Sequence, residues 1–223
     1  MAVILNIDTS LSSASVAIAD NGMVKAVRTN PEQQDHAAWV QPAIEQLLNE
    51  LATEGSMLDA IGVAEGPGSY TGLRVGMATA KGLCYAWDKP LITVSTLKLM
   101  ALAAKMEDEG ADLFAPMIDA RRQEVFTALF DSELQELFPA RAMILEDNSF
   151  AEWLSSHRIL FSGNGMPKWR AVCKHEQALF SAVQHSIQHL ALLAEESSQK
   201  GLFANLFYAE PAYSKEFHTH HKN

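Results

Sequence analysis

Two aspartates at similar positions are the residues in this sequence best suited to chemistry. Asp8 ends the apolar run AVILNID and Asp119 ends the run LFAPMID, each directly after an isoleucine. Two carboxylates at such hairpin corners could face each other across a cleft, with Ser10 beside them, and hold a metal-bound nucleotide. They could instead cap their own corners through Asx-type hydrogen bonds. The sequence favours capping, because Ser10 stands where a phosphate-binding hairpin needs glycine.

The glycine-rich stretch AEGPGSYTGLRVGMATAKGL (64–83) could hold phosphate, but it fits neither common pattern. Five residues separate Gly66 from Gly72 where a P-loop has four, and Leu73 follows where a lysine is needed. The spacing is also one residue too long for the dinucleotide motif. Glycines inside a helix cost about 1 kcal/mol each, so they indicate close packing against another element. We predict that these glycines thin a helix at a partner-binding face, with direct ligand binding as the alternative.

Other polar residues fit weaker chemical patterns. His185 and His189 are four residues apart, which on a helix would place both imidazoles on one face for metal binding. Ser186 replaces the metalloprotease glutamate and no third ligand is near, so a polar helix face is favoured. Ser69 lacks the G-x-S-x-G context of a nucleophile and is predicted to cap a helix. The terminal HTHH (218–221) could bind metal but is more typical of a disordered tail.

The elements that must position these residues follow a regular order in the first half of the chain. Alternating apolar residues flank the turn Asn21-Gly22, which predicts a β-hairpin. Apolar residues at helical spacing follow, and then strands and helices alternate. The predicted strands are 2–8, 13–20, 23–30, 58–66 and 90–95, and the predicted helices are 31–55, 69–87 and 96–106.

The second half repeats the start of this pattern in a shorter form. Residues 112–131 predict two strands joined by a tight turn, residues 159–169 a strand and glycine turn, and residues 181–197 a late helix. We therefore expect an α/β fold of two related lobes, the second abbreviated. The predicted lobes are residues 1–105 and 106–199, with a C-terminal segment, 200–223, that could pack back on the first lobe.

Composition excludes several classes of function. The net charge of −10 gives the chain no general attraction for nucleic acid, and the pair Arg121-Arg122 is too small to change that. No apolar run approaches the roughly 18 residues of a membrane helix, and the N-terminus lacks the features of a signal peptide. Cys84 and Cys173 lie far apart and are expected to be reduced thiols. We expect a cytosolic protein.

Three segments carry a resemblance to a known family. GPGSYTGLRVGMATAKGL, ILNIDTS and MIDARRQEVFTALF closely resemble the TsaB (YeaZ) family of bacterial tRNA threonylcarbamoyladenosine biosynthesis proteins. The resemblance covers roughly residues 2–170 and weakens in the C-terminal fifth. It implies an actin-like, ribonuclease H-like fold of the ASKHA superfamily, in two lobes.

The resemblance also implies a function in N6-threonylcarbamoylation of the tRNA adenosine 3′ of the anticodon, for codons beginning with A. Members of this family are inactive partners that activate a catalytic paralogue, TsaD, and are joined by the small ATPase TsaE. They form homodimers when alone, and tRNA is reached only through the complex. No cofactor of the chain's own is implied, and ATP or ADP is expected only at the partner interface. The catalytic paralogue's His-x-x-x-His metal motif is broken here, because Val40 follows His36 by four residues.

The implied partner surface lies on the helices 31–52 and 69–87. Arg74 and Lys81 are the cations expected to reach across it. Two alternatives remain: an actin-like ATP-dependent phosphotransferase that depends on Asp8 and Asp119, and a metallopeptidase-like hydrolase. The predicted partner-binding residues are Trp39, Tyr70, Leu73, Arg74, Gly76, Met77 and Lys81.

Overall fold

The computed structural model describes residues 2–31, 35–108 and 110–213, which form two five-stranded sheets and six α-helices. The predicted tail 218–221 lies outside the described residues. The strands are β1 Val3–Asp8, β2 Ala14–Asp20, β3 Met23–Asn30, β4 Ala60–Gly66, β5 Leu91–Ser95, β6 Leu113–Asp119, β7 Glu124–Phe130, β8 Glu136–Ile144, β9 Ile159–Ser162 and β10 Ala178–Phe180. The helices are α1 His36–Glu50, α2 Tyr70–Trp87, α3 Thr96–Glu107, α4 Ala151–Leu154, α5 Met166–Val172 and α6 Ile187–Gln199.

Both sheets have the same topology. The first has the order β3-β2-β1-β4-β5 and the second the matching order β8-β7-β6-β9-β10. In each, three antiparallel strands are followed by two parallel ones. This repeated ribonuclease H-like unit confirms the predicted two-lobed, actin-like α/β fold. The second lobe is abbreviated in the length of its elements, since β9 has 4 residues, β10 has 3 and α4 has 4.

Several parts of the second half differ from the sequence prediction. The strands β8 and β10 and the short helices α4 and α5 were not predicted. The late helix begins at Ile187, so residues 181–186 are not helical. This helix, α6, packs against β1, β4 and β5 of the first sheet, although the predicted division placed residues up to 199 in the second lobe. Gln188 fixes it there, because its side-chain amide bonds Gly22 O and Val24 N of the β2–β3 hairpin.

The hydrophobic core is divided by the first sheet. On one face α1 and α2 pack against the sheet, with Leu47, Ile61 and Met77 in the same buried cluster. On the other face α3 and α6 lie in a cluster that also contains Phe114 and Leu160 of the second sheet. The two lobes therefore share apolar packing through α3, which fixes the cleft between them.

The chain returns to the first lobe at its C-terminal end. Ala204 forms an antiparallel bridge with Leu91 of β5, and Ala212 N donates to Glu65 O of β4 at 2.8 Å. Residues 204–213 thus form a strap on the first lobe, and contacts to Arg74 and Lys81 place it along α2. Within the described residues, no helix combines the length and the apolar character needed to cross a membrane.

Candidate functional site

The corner between β1 and β2 places Asp8 in a closed set of hydrogen bonds. Its Oδ1 accepts from Ser10 N at 2.9 Å and from Ser10 Oγ at 2.7 Å, while its Oδ2 lies 2.8 Å from His185 Nε2. The side chains of Asp8 and His185 are only 9% and 7% exposed. Burial opposes ionisation, but the hydrogen bond and charge of His185, with the two Ser10 bonds, hold the pKa of Asp8 below its ordinary value.

Glycines just before α2 and in its first turn pack against this corner. A Cβ at Gly68 would lie 2.0 Å from Ser10 O, and one at Gly72 would lie 2.1 Å from Thr9 O. Thr9 Oγ1 donates to Gly72 O at 2.7 Å, and Ser69 N donates to Ser10 O at 2.7 Å. Close packing by the glycines is thus confirmed, but their contact is the chain's own β1–β2 corner. The Ser69 side chain accepts from Gly72 N and caps α2, as predicted.

Three of the predicted partner-binding residues are not on the surface. Leu73 and Met77 are 2% and 3% exposed, and Gly76 is buried with Thr9 Oγ1 at 2.4 Å from the place of a Cβ. The prediction that they form a partner surface is wrong because positions 73, 76, 77, 80 and 84 make the inward face of α2, which packs on β4. Trp39 is half-buried and packs on the same cluster.

The other three predicted residues lie on the outward face of α2 and contact the strap. The guanidinium of Arg74 lies 4.3 Å from the centre of the Tyr70 ring, and its Nε donates to Tyr213 Oη at 3.1 Å. The rings of Tyr70 and Tyr213 are 5.4 Å apart. Lys81 Nζ donates to Ala209 O at 2.8 Å. No sequence signal linked the strap to this helix, since the contacts span more than a hundred residues.

Asp119 occupies the matching corner of the second sheet but has different partners. Its Oδ1 accepts from Arg121 N and from Lys168 Nζ, both at 2.6 Å, and its N–H donates to Asn164 Oδ1. The Lys168 hydrogen bond lowers the pKa of Asp119, whose side chain is 45% exposed. The Asx-type bonds predicted for both aspartates are confirmed, to Ser10 N in one corner and Arg121 N in the other.

A cavity of about 260 Å³ lies between the lobes beside Asp8. Its walls come from the β1–β2 corner, from the turn that follows β9 and from residues 182–187, with Met100 of α3. Asp119 is not in these walls, so the structure does not bring the two predicted carboxylates together in one cavity. Of the described residues that line it, none is lysine or arginine.

The histidine pair 185/189 does not form a metal-binding helix face. His185 precedes the helix and binds Asp8, whereas His189 Nδ1 accepts from Ser186 N and closes a capping box at the start of α6. Burial lowers the pKa of His189. His36 is buried at the first residue of α1. In the part of the chain that is described, no group of three His, Cys, Asp or Glu residues could hold a metal ion.

Comparisons with known proteins agree with this architecture. Residues 29–216 match the family described as TsaD: tRNA N6-adenosine threonylcarbamoyltransferase. The chain is 35% identical over 147 residues to the tRNA threonylcarbamoyladenosine biosynthesis protein TsaB of Bacillus subtilis (strain 168), covering 65% of this chain and 63% of that protein. It is 35% identical over 130 residues to TsaB of Escherichia coli (strain K12), covering 58% and 55% respectively.

A solved structure extends the similarity to the whole fold. YeaZ from Pseudomonas aeruginosa superposes with a TM-score of 0.79 at 27% identity, covering 96% of this chain and 100% of that one. The predicted resemblance to TsaB and YeaZ is therefore confirmed. The chain spans about three fifths of the length of the curated relatives it matches.

Proposed function

The chain belongs to the TsaD family of tRNA N6-adenosine threonylcarbamoyltransferases, and we propose that it is a non-catalytic partner subunit within the family's pathway. In this proposal it pairs with and activates a TsaD-type enzyme that threonylcarbamoylates the tRNA adenosine 3′ of the anticodon. The observation that carries the proposal is the closed bonding of Asp8, whose two carboxylate oxygens are held by Ser10 and His185.

The geometry of the β1–β2 corner explains why the hydrogen bonds of Asp8 argue against phosphotransferase chemistry. A phosphotransferase of this fold needs a first-strand carboxylate that can reach a Mg-nucleotide and a hairpin backbone that phosphate can approach. Here the buried Ser10 side chain fills the corner, and Gly68 and Ser69, just before α2, pack directly on Ser10 O. A metal ion bound by Asp8 would have to share a carboxylate oxygen with the hydrogen bonds of Ser10 or His185.

The proposal also states which molecules this chain binds. Besides the catalytic paralogue, a TsaE-type ATPase completes the assembly, and the chain forms a homodimer when alone. With a net charge of −10 the chain has little attraction for phosphate, so tRNA contact is assigned to the complex. Any ATP or ADP would bind at the interface with the partner rather than to this chain by itself.

Reconstitution tests the proposal. Incorporation of labelled threonine into tRNA is measured with the catalytic paralogue, the TsaE-type ATPase and threonylcarbamoyl-adenylate, with and without this chain. We expect product only when both paralogues are present, and none from this chain alone. The Asp8→Asn variant keeps an Oδ1 that can accept from Ser10. At temperatures where this variant is folded, it should still stimulate most of the activity of the catalytic paralogue. A folded Asp8→Asn variant that no longer stimulates would make Asp8 catalytic and contradict the proposal.

The interlobe cavity is the observation that favours the alternative phosphotransferase function. Calorimetric titration of the lone chain with Mg-ATP distinguishes the two. Because the described walls carry no lysine or arginine to balance phosphate charge, we expect no binding to the lone chain. Binding of Mg-ATP to the lone chain with micromolar affinity would favour the phosphotransferase function over the role of a non-catalytic partner.

A further inference from the structure

The interlobe cavity beside Asp8 contains an imidazole nitrogen that the fold itself does not use. His185 Nε2 binds Asp8 Oδ2 at 2.8 Å, and the side chain of His185 is only 7% exposed. The second ring nitrogen, Nδ1, has no hydrogen-bond partner within the described part of the chain, and the core does not enclose it. Since His185 lines the cavity, this nitrogen is available to a molecule that enters there.

The charges around the cavity favour an uncharged molecule. Asp8 and His185 are the only titratable side chains among the described residues of its walls. They bind each other, and Ser10 donates twice to the other oxygen of Asp8, so the carboxylate has no unbalanced charge to offer a cation. With no lysine or arginine in those walls, a phosphate or a carboxylate would also lose its solvation without compensation.

A hydroxyl is the polar group that suits His185 Nδ1 best. A hydroxyl can donate to this nitrogen when the imidazole is neutral and accept from it when the imidazole is charged. Further polar groups lie close by, because the exposed Ser12 and Ser13 line the same cavity. Asn164 also lines it, and since its Oδ1 accepts from Asp119 N, its amide nitrogen remains as a donor.

The opposite character of the remaining walls calls for an apolar body on the same molecule. Five apolar side chains from both lobes and from the segment before α6 complete the lining: Leu11, Met100, Met166, Val183 and Ile187. The volume of about 260 Å³ is just below the range of about 300–1,000 Å³ that is typical of pockets for drug-sized ligands. The occupant must therefore be small.

We propose that the interlobe cavity is a binding site for a small uncharged organic molecule that carries a hydroxyl next to an apolar body. The hydroxyl bonds His185 Nδ1, and the apolar body packs against Met100 and Met166. Because the walls come from both lobes, the bound molecule joins the β1–β2 corner to the turn that follows β9. This inference does not rest on the proposed function, since the site lies within this chain and needs no partner.

Three probes with the same apolar ring test the charge preference. Benzyl alcohol, benzylamine and benzoate are titrated into the full-length protein at neutral pH, and the ¹⁵N-labelled imidazole nitrogens are followed by NMR. We expect benzyl alcohol to shift the Nδ1 resonance of His185 and to bind at least about tenfold more tightly than either charged probe. Equal affinity for the three probes, or tighter binding of a charged one, would overturn the inference. So would binding of benzyl alcohol that leaves the His185 resonances of the wild type unchanged.

A pair of histidine variants tests the anchoring nitrogen. His185→Gln removes Nδ1 but keeps a side-chain amide that can donate to Asp8, and His175→Gln changes an exposed histidine outside the cavity. Both are compared at a temperature where circular dichroism shows them to be folded. We expect His185→Gln to bind benzyl alcohol at least about fivefold more weakly and His175→Gln to bind it like the wild type. Unchanged affinity of His185→Gln would show that this histidine is not the anchor.

Discussion

Replacing His185 by alanine tests how much the bond between His185 and Asp8 stabilises the fold. The pair joins residues 177 positions apart, links the β1–β2 corner to the segment before α6, and is almost fully buried. Leaving a buried carboxylate without one of its partners costs about 3–5 kcal/mol, because its negative charge loses part of its compensation. Asp8 keeps two bonds from Ser10, so we expect the low end, about 3 kcal/mol.

Thermal unfolding followed by circular dichroism measures this loss. For a chain of this size each kcal/mol lowers the Tm by about 2–4 °C, so His185→Ala should melt about 6–12 °C below the wild type. Gln184→Ala, at an exposed neighbouring position, serves as the control and should change the Tm by less than about 2 °C. A His185→Ala variant that melts at the wild-type temperature would refute the view that this buried bond stabilises the fold.

The same bond predicts a pH dependence. The folded-state pKa of Asp8 lies below its ordinary value of 3.8, so the ionised carboxylate stabilises the fold above that value. This contribution is lost as the pH falls from about 4 through the lower, folded-state pKa. The difference in unfolding free energy between the wild type and Asp8→Asn should therefore shrink as the pH falls below 4. A difference that grows on acidification would contradict the assigned direction.

Two further predictions follow from the packing of α2 and from the two thiols. Gly72→Ala should destabilise the protein by about 2 kcal/mol, because its Cβ would lie 2.1 Å from Thr9 O, whereas Gly82→Ala meets nothing within 4 Å and should stabilise by up to about 1 kcal/mol. If Gly72→Ala and Gly82→Ala shift the midpoint of urea unfolding equally, α2 does not pack as described. Burial raises the pKa of the Cys84 thiol to about 12, so at pH 8 a thiol reagent should modify Cys173 first and Cys84 only after denaturation. Comparable rates of modification of Cys84 and Cys173 in the folded protein would contradict the buried environment of Cys84.

Local signals were enough to predict the first lobe. The Asn21-Gly22 turn and the flanking alternation fixed the β2–β3 hairpin, since both central residues adopt positive φ, 54° and 73°. Ser69 was predicted as the cap of α2 from its position before a helical pattern, and the Asx-type bonds at Asp8 and Asp119 from their positions at strand ends. These features depend on residues within three positions of one another.

The second lobe was predicted less completely because its elements are short and weakly patterned. Most residues of β8 are at least partly exposed and the strand contains Pro139, so it lacks the alternation of a half-buried strand. The three residues of β10 are too few to show any period. The non-helical start at residues 181–186 was missed because the sequence there does not differ clearly from the helix that follows.

The order of elements in the first lobe, its capped corners and the family resemblance could all be read from the amino-acid sequence. Each of these is carried by local patterns or by motif residues. The buried face of α2 became clear only from the three-dimensional packing, since apolar and aromatic residues occur on both faces of that helix. The packing also decided that Asp8 binds His185 and that the strap covers α2, because contacts between distant residues depend on how the lobes and the C-terminal segment pack, which no local spacing encodes.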